Sequence, residues 1–290
     1  MLYLITVNYQ ATDLIRSLLA SLAADTTTDW QLVIVNNSPA DTAIHQLAGA
    51  SVVVLEAGEN LGFGRGCNLG LQWIWQRQPG AIAWLINPDA WLPAAMLAQA
   101  QTFLHAHPLL PILGTQVQEP DGRLWSGAGC FDRQRGAIAT ATTPEIAVAT
   151  TPPYETCAWV SGCSLLLNLA GFRDCPQFDP AFFLYYEDFD FCQRYAAQGL
   201  AVAYTAHLHV IHRPSSITNR QPAWKLRHST FGYLLVLWRY ASPTAYRWRC
   251  TRLLLYALLL LGWKPAAGWG KLRGAIAHWH WRVSHRGQTD

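Results

Sequence analysis

The sequence predicts an α/β fold, a mostly parallel sheet with helices on both faces, followed by a helical, basic C-terminal extension. Three observations predict it. Short apolar runs alternate with helix-period segments through the first hundred residues, joined by short links. Clusters of Asn, Gly and Asp fall just after those runs, where ligands sit in open α/β sheets. Past Ser216 the composition changes, with 12 Lys and Arg against one acid, whereas residues 1–215 hold 9 and 17. The net charge of +3 over 290 residues therefore hides an acidic front and a cationic tail, a split that points to two jobs on one chain.

The elements follow in order. Leu2–Tyr9 reads as a buried strand. Thr12 is placed to cap a helix that carries Leu14, Ile15, Leu18, Leu19 and Leu22 on one face. Gln31–Val35 is a second strand, ending in the turn cluster Asn36-Asn37-Ser38-Pro39, and Ser51–Leu55 is a third. A glycine-rich loop, Asn60 to Asn68, then runs into a helix reaching about Gln76. Ala81–Ile86 is a fourth strand and stops at Asn87-Pro88-Asp89. Pro93 is expected to start the next helix, to about Ala106.

Farther on, Glu119-Pro120-Asp121-Gly122 reads as a hairpin turn, and residues 132–155, rich in Ala, Thr and Pro, as a long surface loop. Trp159–Leu167 is strand-like, Glu187–Gln198 a helix closed by Gly199, and Leu200–Tyr204 and His207–Ile211 two short strands. In the tail, Ala223–Tyr240 and Trp248–Trp263 are helix-like and mix Leu, Trp and Tyr with Arg. The longest uncharged run there, Leu253–Trp263, falls short of the roughly 20 residues a spanning helix needs. Arg-rich helices carrying Trp and Leu suit a helix lying in the headgroup plane of an anionic leaflet. A nucleic-acid surface fits less well, because the leucine runs are too long. Scattered cysteines, seven in all with no CxxC pair, read as reduced thiols rather than a disulfide frame or a zinc site. No basic n-region precedes the first apolar run, so no signal peptide is expected.

Two places put carboxylates at the edge of apolar segments: Asn87-Pro88-Asp89, and Phe183-Leu184-Tyr185-Tyr186-Glu187-Asp188-Phe189-Asp190. An ionised carboxylate at such a boundary is costly unless it meets a metal, a cation or a proton to abstract. The pair suggests a metal-assisted transfer site, one carboxylate on the metal and one acting as base. For Asp188 a helix N-terminus lowers basicity, while aromatic neighbours and Glu187 raise it; the sequence leaves that balance open.

These residues carry a resemblance. Val35-Asn36-Asn37-Ser38, then Asn60-Leu61-Gly62-Phe63 through Asn68-Leu69-Gly70, then Leu85 to Asp89, resemble the nucleotide-sugar half of inverting family 2 glycosyltransferases of GT-A fold. Val160-Ser161-Gly162-Cys163, Gly171-Phe172, the segment Phe182 to Asp190 and His212 follow in the order of the rhamnosyltransferase-like branch. The resemblance implies a GT-A nucleotide-sugar and catalytic domain over residues 1–216, and leaves 217–290 as a membrane- or acceptor-associated extension.

Residue by residue, it implies that Asp89 closes a DxD-like motif and binds Mg²⁺ or Mn²⁺ bridging the donor phosphates, with His212 completing the metal or diphosphate site. Asp188, in the pair with Glu187, matches the general base. Asn36, Asn37, Asn60, Gly62, Arg65, Asn68 and Asn87 fall on the nucleotide-sugar side. Asn36 stands where an Asp commonly reads the base or ribose, so the base stays open, and Asn87 replaces the first Asp of the metal motif. The partners implied are a nucleoside diphosphate sugar and a glycan or lipid-linked acceptor, at the inner face of the cytoplasmic membrane and without nucleic acid. A nicotinamide oxidoreductase is the rival enzyme class. It fails because Cys67 occupies the third glycine position of the dinucleotide fingerprint and the loop follows the third strand, not the first. A non-catalytic scaffold that kept the fold is the other rival, and the carboxylates Asp89, Glu187 and Asp188 argue against it.

Overall fold

A computed structural model describes residues 1–26, 28–141, 153–213 and 222–285. By internal contacts the chain forms two compact units. The first comprises Met1–Cys130, Ala139–Ala181 and Asp188–Pro214, the second Phe131–Ile138, Phe182–Glu187 and Ser215–Asp290.

The first unit is built on β1 (Leu2–Asn8), β2 (Trp30–Asn36), β3 (Val52–Glu56) and β4 (Ile82–Ile86), which pair in parallel in the order 3-2-1-4. Beyond β4 come β11 (Ser164–Asn168), β6 (Ile112–Gln118) and β12 (Val202–His212). Only β11 runs against the others in this row. Helices cover both faces. The even residues Leu2 and Leu4 of β1 pack with Ile15, Leu18 and Leu22 of α1 (Thr12–Ala23) and with α3 (Met96–Ala106). The odd residues Tyr3, Ile5 and Val7 pack with Cys67, Leu71 and Ile74 of α2 (Phe63–Arg77) and with Phe191 and Cys192 of α4 (Glu187–Ala197). Alternation along a strand buried on both faces dictates this division. Each fully buried Leu or Ile contributes about 1.5–3 kcal/mol, so the sheet is a rigid base for the loops at its carboxyl ends.

Several expectations need correction. Pro93 does not begin a helix: α3 starts at Met96, after Ala95 takes a left-handed φ of 66°. The chain first makes β5 (Ala90–Trp91), which pairs with the end of β12. The two strands expected over 200–211 are one, β12, with a shift in register between Thr205 and His209. Trp159 makes only an isolated bridge to Gly129, and the strand proper begins at Ser164. β6 was not foreseen, because Pro108 and Pro111 punctuate the apolar run that leads into it.

The hairpin turn at Glu119–Gly122 is present, with Gly122 at φ 84° and its N–H on the Glu119 carbonyl; it leads into β7 (Leu124–Ser126), antiparallel to β6. The loop expected over 132–155 contains strands. β8 (Gly129–Asp132) pairs with β9 (Ala137–Thr140), and β10 (Glu155–Thr156) pairs with β12. Its remainder, 142–152, lies outside the described residues.

The second unit holds α5 (Pro222–Tyr240), α6 (Pro243–Trp263) and α7 (Pro265–Ser284), one helix more than the two expected. Ser242 caps α6 by accepting the Ala245 N–H, and Pro243 fills the first turn. The boundary expected after residue 216 lies outside the described residues; two earlier segments, Phe131–Ile138 and Phe182–Glu187, also join this unit. Aromatic contacts explain the membership of Phe182–Glu187: Phe183 meets Trp224 and His228 of α5, and Tyr186 meets Tyr233. Tyr185 and Tyr186 both hold left-handed φ values, 72° and 69°. Gly232 of α5 lies against them, where a Cβ would come within 2.5 Å of the Tyr185 carbonyl oxygen. Consecutive non-glycine residues in this region persist only where packing over-determines them. Among the described residues, no helix is long and apolar enough to cross a membrane.

Candidate active site

Asp89 and His212 come together because β5 zips onto the end of β12. Ala90 pairs with His212, Trp91 with Ile211, and the Arg213 N–H donates to the Asp89 carbonyl at 3.1 Å. The His212 Nε2 then sits 3.1 Å from Asp89 Oδ1, with both side chains buried. Trp125 of β7 packs edge-on to the imidazole, ring centroids 4.7 Å apart. His212 Nδ1 is buried and finds no hydrogen-bond partner among the described residues. His209 lies on the opposite side of β12 from His212, as parity dictates, and His207 is exposed.

Asp188 is held at the first turn of α4. Its Oδ2 accepts the Gly162 N–H at 2.9 Å, and Oδ1 accepts the Phe189 N–H at 2.8 Å. Burial raises the carboxyl above its ordinary range, and these backbone hydrogen bonds offset that only in part. Glu187 is buried beside it in sequence, and Asp190 is fully buried in an ion pair with Arg194 at 2.7 Å.

The segment Ser161-Gly162-Cys163 links the two carboxylates. Gly162 donates to Asp188, and the carbonyl of Cys163 accepts the Asn87 N–H at 3.0 Å, two residues from Asp89. The Cys163 thiol is pushed well up by burial first, and then by the negative charges of both Asp89 and Asp188. One buried side chain thus feels both groups. Gly162 also faces the glycine loop: a Cβ there would lie 3.1 Å from the ring of Phe63 and 3.4 Å from the Asp188 Cβ. Asp89, Asp188 and the glycine loop therefore converge on one turn.

The remaining sequence candidates separate into groups. Asn60 accepts the Gly62 N–H, and Gly62 takes φ 81°, ψ 179°, a conformation essentially confined to glycine. Asn37 donates to the Gly62 carbonyl at 2.8 Å, tying the end of β2 to this loop. Arg65 is exposed in the first turn of α2, and Asn87 is half-buried at the end of β4.

Asn36 is fully enclosed. Its amide donates to both oxygens of Glu56, and its carbonyl oxygen accepts from Asn8 and Ser38. It cannot touch a nucleotide without breaking that network; what it presents is the Glu56 carboxylate, which also meets His45 at 3.3 Å. Asn68 clamps a distant loop, with both amide atoms bonded to the backbone of Phe178 at 2.8 and 2.7 Å.

Sequence reasoning missed Glu56, Trp125 and the bridging role of Gly162 and Cys163. The signals were faint. Glu56 ends an apolar strand beside the Asn36 position, and Trp125 is the outward residue of a strand with buried neighbours.

Asp89 and His212 form a candidate site for a divalent cation. No group of three or more His, Cys, Asp or Glu side chains able to hold an ion occurs among the described residues. Mg²⁺ and Mn²⁺ at phosphate-transfer sites commonly take one or two protein carboxylates, with substrate phosphates and water supplying the rest. One buried carboxylate, with an imidazole whose Nδ1 lacks a partner, fits a cation that arrives with a diphosphate, and does not fit an all-protein cage.

Comparison with known proteins follows this geometry. Residues 3–145 match the family described as Glycosyl transferase family 2. An N-acetylglucosaminyl-diphospho-decaprenol L-rhamnosyltransferase of Mycobacterium tuberculosis is 25% identical over 265 residues, covering 82% of this chain and 84% of that protein. The mannosyltransferase PcManGT from Pyrobaculum calidifontis, solved with GDP-Man and Mn²⁺, superposes with TM-score 0.55 at 13% identity, over 99% of this chain and 88% of its own. S. aureus TarS in complex with UDP-GlcNAc gives TM-score 0.53 at 16% identity, over 81% of this chain and 65% of that one. The fold is thus the GT-A fold, residues 3–145 form a glycosyl transferase family 2 domain, and the chain as a whole is similar to an L-rhamnosyltransferase.

Proposed function

We propose that this enzyme transfers L-rhamnose from dTDP-rhamnose, or in second place a hexose from a UDP-sugar, with inversion, onto a glycan or lipid-linked acceptor in cell-surface polysaccharide synthesis. The activity named for the mycobacterial relative, a rhamnosyl transfer to a lipid diphosphate sugar, supports the choice of donor and acceptor. It works on the cytoplasmic side, peripheral on the inner face of the membrane, with the basic helices α5–α7 toward the lipid.

The observation that carries this reading is that one turn ties the two carboxylates together: the Gly162 N–H donates to Asp188, and the Cys163 carbonyl accepts the N–H of Asn87, two residues before Asp89, which itself meets His212 at 3.1 Å. The acceptor hydroxyl is a poor nucleophile until its proton is taken. Asp188, fixed by the Gly162 N–H and made more basic by burial, is the group to take it, a contribution of roughly 10²–10⁴-fold. The hydroxyl oxygen forms its bond to the anomeric carbon on the face opposite the departing diphosphate, which inverts that centre. Asp89 and His212 would hold a divalent cation at the diphosphate. When bound, the cation stabilises the charge that grows on the leaving oxygen. Arg65 and the Asn37–Gly62 tie shape the diphosphate side, and Glu56, oriented by Asn36, faces the nucleoside.

A thermal-shift screen of nucleoside diphosphates, with and without Mn²⁺, tests the donor class. dTDP with Mn²⁺ should raise Tm most, because a ligand binding only the native state stabilises it, by about 2.7 kcal/mol at a hundred times Kd. A response to UDP alone moves the assignment to a UDP-hexose, and a flat response to every nucleotide removes it.

A further inference from the structure

In a helical bundle bathed by water, large apolar side chains turn inward and small or polar ones outward. The last two helices of this chain do the reverse. In α7, Gly268, Gly270, Gly274 and His278 are buried, while Trp269, Ile276, Trp279 and Val283 are exposed. The glycines permit backbone contact. A Cβ at Gly270 would lie 2.5 Å from the Ala223 carbonyl oxygen, at Gly274 2.4 Å from that of Arg227, and at Gly268 2.7 Å from that of Ala257.

In α6 only Ala257 and Leu260 are buried past the first turn. On the opposite side of that helix Leu254, Leu255, Leu258 and Leu259 stand exposed, the last at 75%. Close packing through small residues with leucines outward is how helices associate where the surroundings are hydrocarbon. Exposed apolar surface of this extent marks an interaction site rather than ordinary surface scatter.

The charge around this face selects the partner. Residues 222–285 contain ten Lys and Arg and no acid. One turn before the leucines, a cleft of about 430 Å³ is lined by Arg135, Arg249, Arg252, Gln134, Thr244 and Trp248. Arg135 is shared with Asp132 at 3.6 Å, and Arg249 is fixed by donating to the Arg135 carbonyl. An apolar face flanked by arginines matches lipid, with acyl chains against the leucines and phosphate at the cleft. A second copy of the chain would bring ten more cations against the first ten. The uncharged stretch Leu253–Trp263 is about 16 Å long at 1.5 Å per residue, about half of the ~30 Å hydrocarbon layer.

We infer that α6 and α7 form a monotopic anchor whose outward leucine and tryptophan faces sit in the hydrocarbon of a single anionic leaflet, with the arginine cleft on lipid phosphate. This goes deeper than a helix resting among headgroups, and it does not depend on which sugar the enzyme transfers.

The test is flotation of the full chain with phosphatidylglycerol–phosphatidylcholine vesicles. The chain should float, and stay bound in about 1 M salt, where the Debye length is about 3 Å and purely electrostatic contacts are screened. L255E/L259E alters two exposed positions, so circular dichroism and Tm should hold while vesicle affinity falls roughly tenfold or more. Transfer to a lipid-free acceptor in solution should survive the change, which separates failure of the anchor from failure of the enzyme reading. Release of the parent chain by salt, flotation of L255E/L259E equal to the parent, or a lipid-indifferent dimer dispersed by that double change would each overturn the inference.

Discussion

Asp188→Asn should all but stop sugar transfer and leave nucleotide binding intact. The Asn carbonyl oxygen can still accept the Gly162 N–H, while its NH2 replaces the oxygen that accepts the Phe189 N–H, so the proton acceptor and one of two local hydrogen bonds are lost and the Gly162 tie remains. The expected fall in kcat is about 10²–10⁴-fold, the usual contribution of a general base, with no change in donor affinity. Stability moves the other way. The folded-state pKa of Asp188 is raised, by burial above all. A group of that kind favours the fold fully below its unfolded pKa, near 3.9, and the benefit fades as pH rises through the folded value. At neutral pH the ionised carboxylate is therefore a burden that Asn lacks. The Tm of Asp188→Asn relative to the parent should climb from acid toward neutral pH and then level off. The parent's kcat/KM should lose its acid limb above the ordinary carboxylate range. Normal turnover by the variant, or a Tm difference that shrinks over that interval, excludes Asp188 as the base.

Asp89→Ala produces the second large effect, on a different parameter. It removes the carboxylate that meets His212 among the described residues, which is the oxygen ligand proposed for the cation. Lewis-acid stabilisation is worth several kcal/mol, so kcat/KM should fall by about 10²–10³-fold at 1.36 kcal/mol per decade. The Mn²⁺-dependent part of the nucleotide thermal shift should vanish with it. His212→Ala should weaken the Mn²⁺ response by about 10–100-fold, as loss of a lesser ligand or its support does. An undiminished Mn²⁺ response in Asp89→Ala places the cation elsewhere.

Much of this was legible in the sequence because burial on both sheet faces imposes continuous apolar runs. β1 to β4, α1 and α2 were readable for that reason, and so was the placing of Asn36, Asn37 and Asp89 at strand ends. Proline misled twice, in opposite senses. Pro93 resembled a helix start, yet the chain there is still completing the β5–β12 pairing that delivers His212 to Asp89. Pro108 and Pro111 concealed β6, which is central.

Polar side chains were legible as a set and not one by one. Asn68 serves the backbone of Phe178, 110 residues away, and Asn36 serves Glu56. No local pattern separates an amide that meets a ligand from one that clamps a loop. The tail showed its charge and its aromatics, but that leucines face out and glycines face in depends on tertiary packing.

The central claim is that Asp89 and Asp188 serve opposite faces of one anomeric carbon, Asp89 on the side of the bond that breaks and Asp188 on the side of the bond that forms. A crystal structure of the Asp188→Asn chain with the intact nucleotide sugar and Mn²⁺ tests it most directly. The account predicts an anomalous Mn peak about 2.1 Å from an Asp89 oxygen, on the diphosphate, with the residue 188 side chain across the anomeric carbon from the leaving oxygen. A metal bound away from Asp89, or a sugar whose far face meets some other carboxylate, would contradict it.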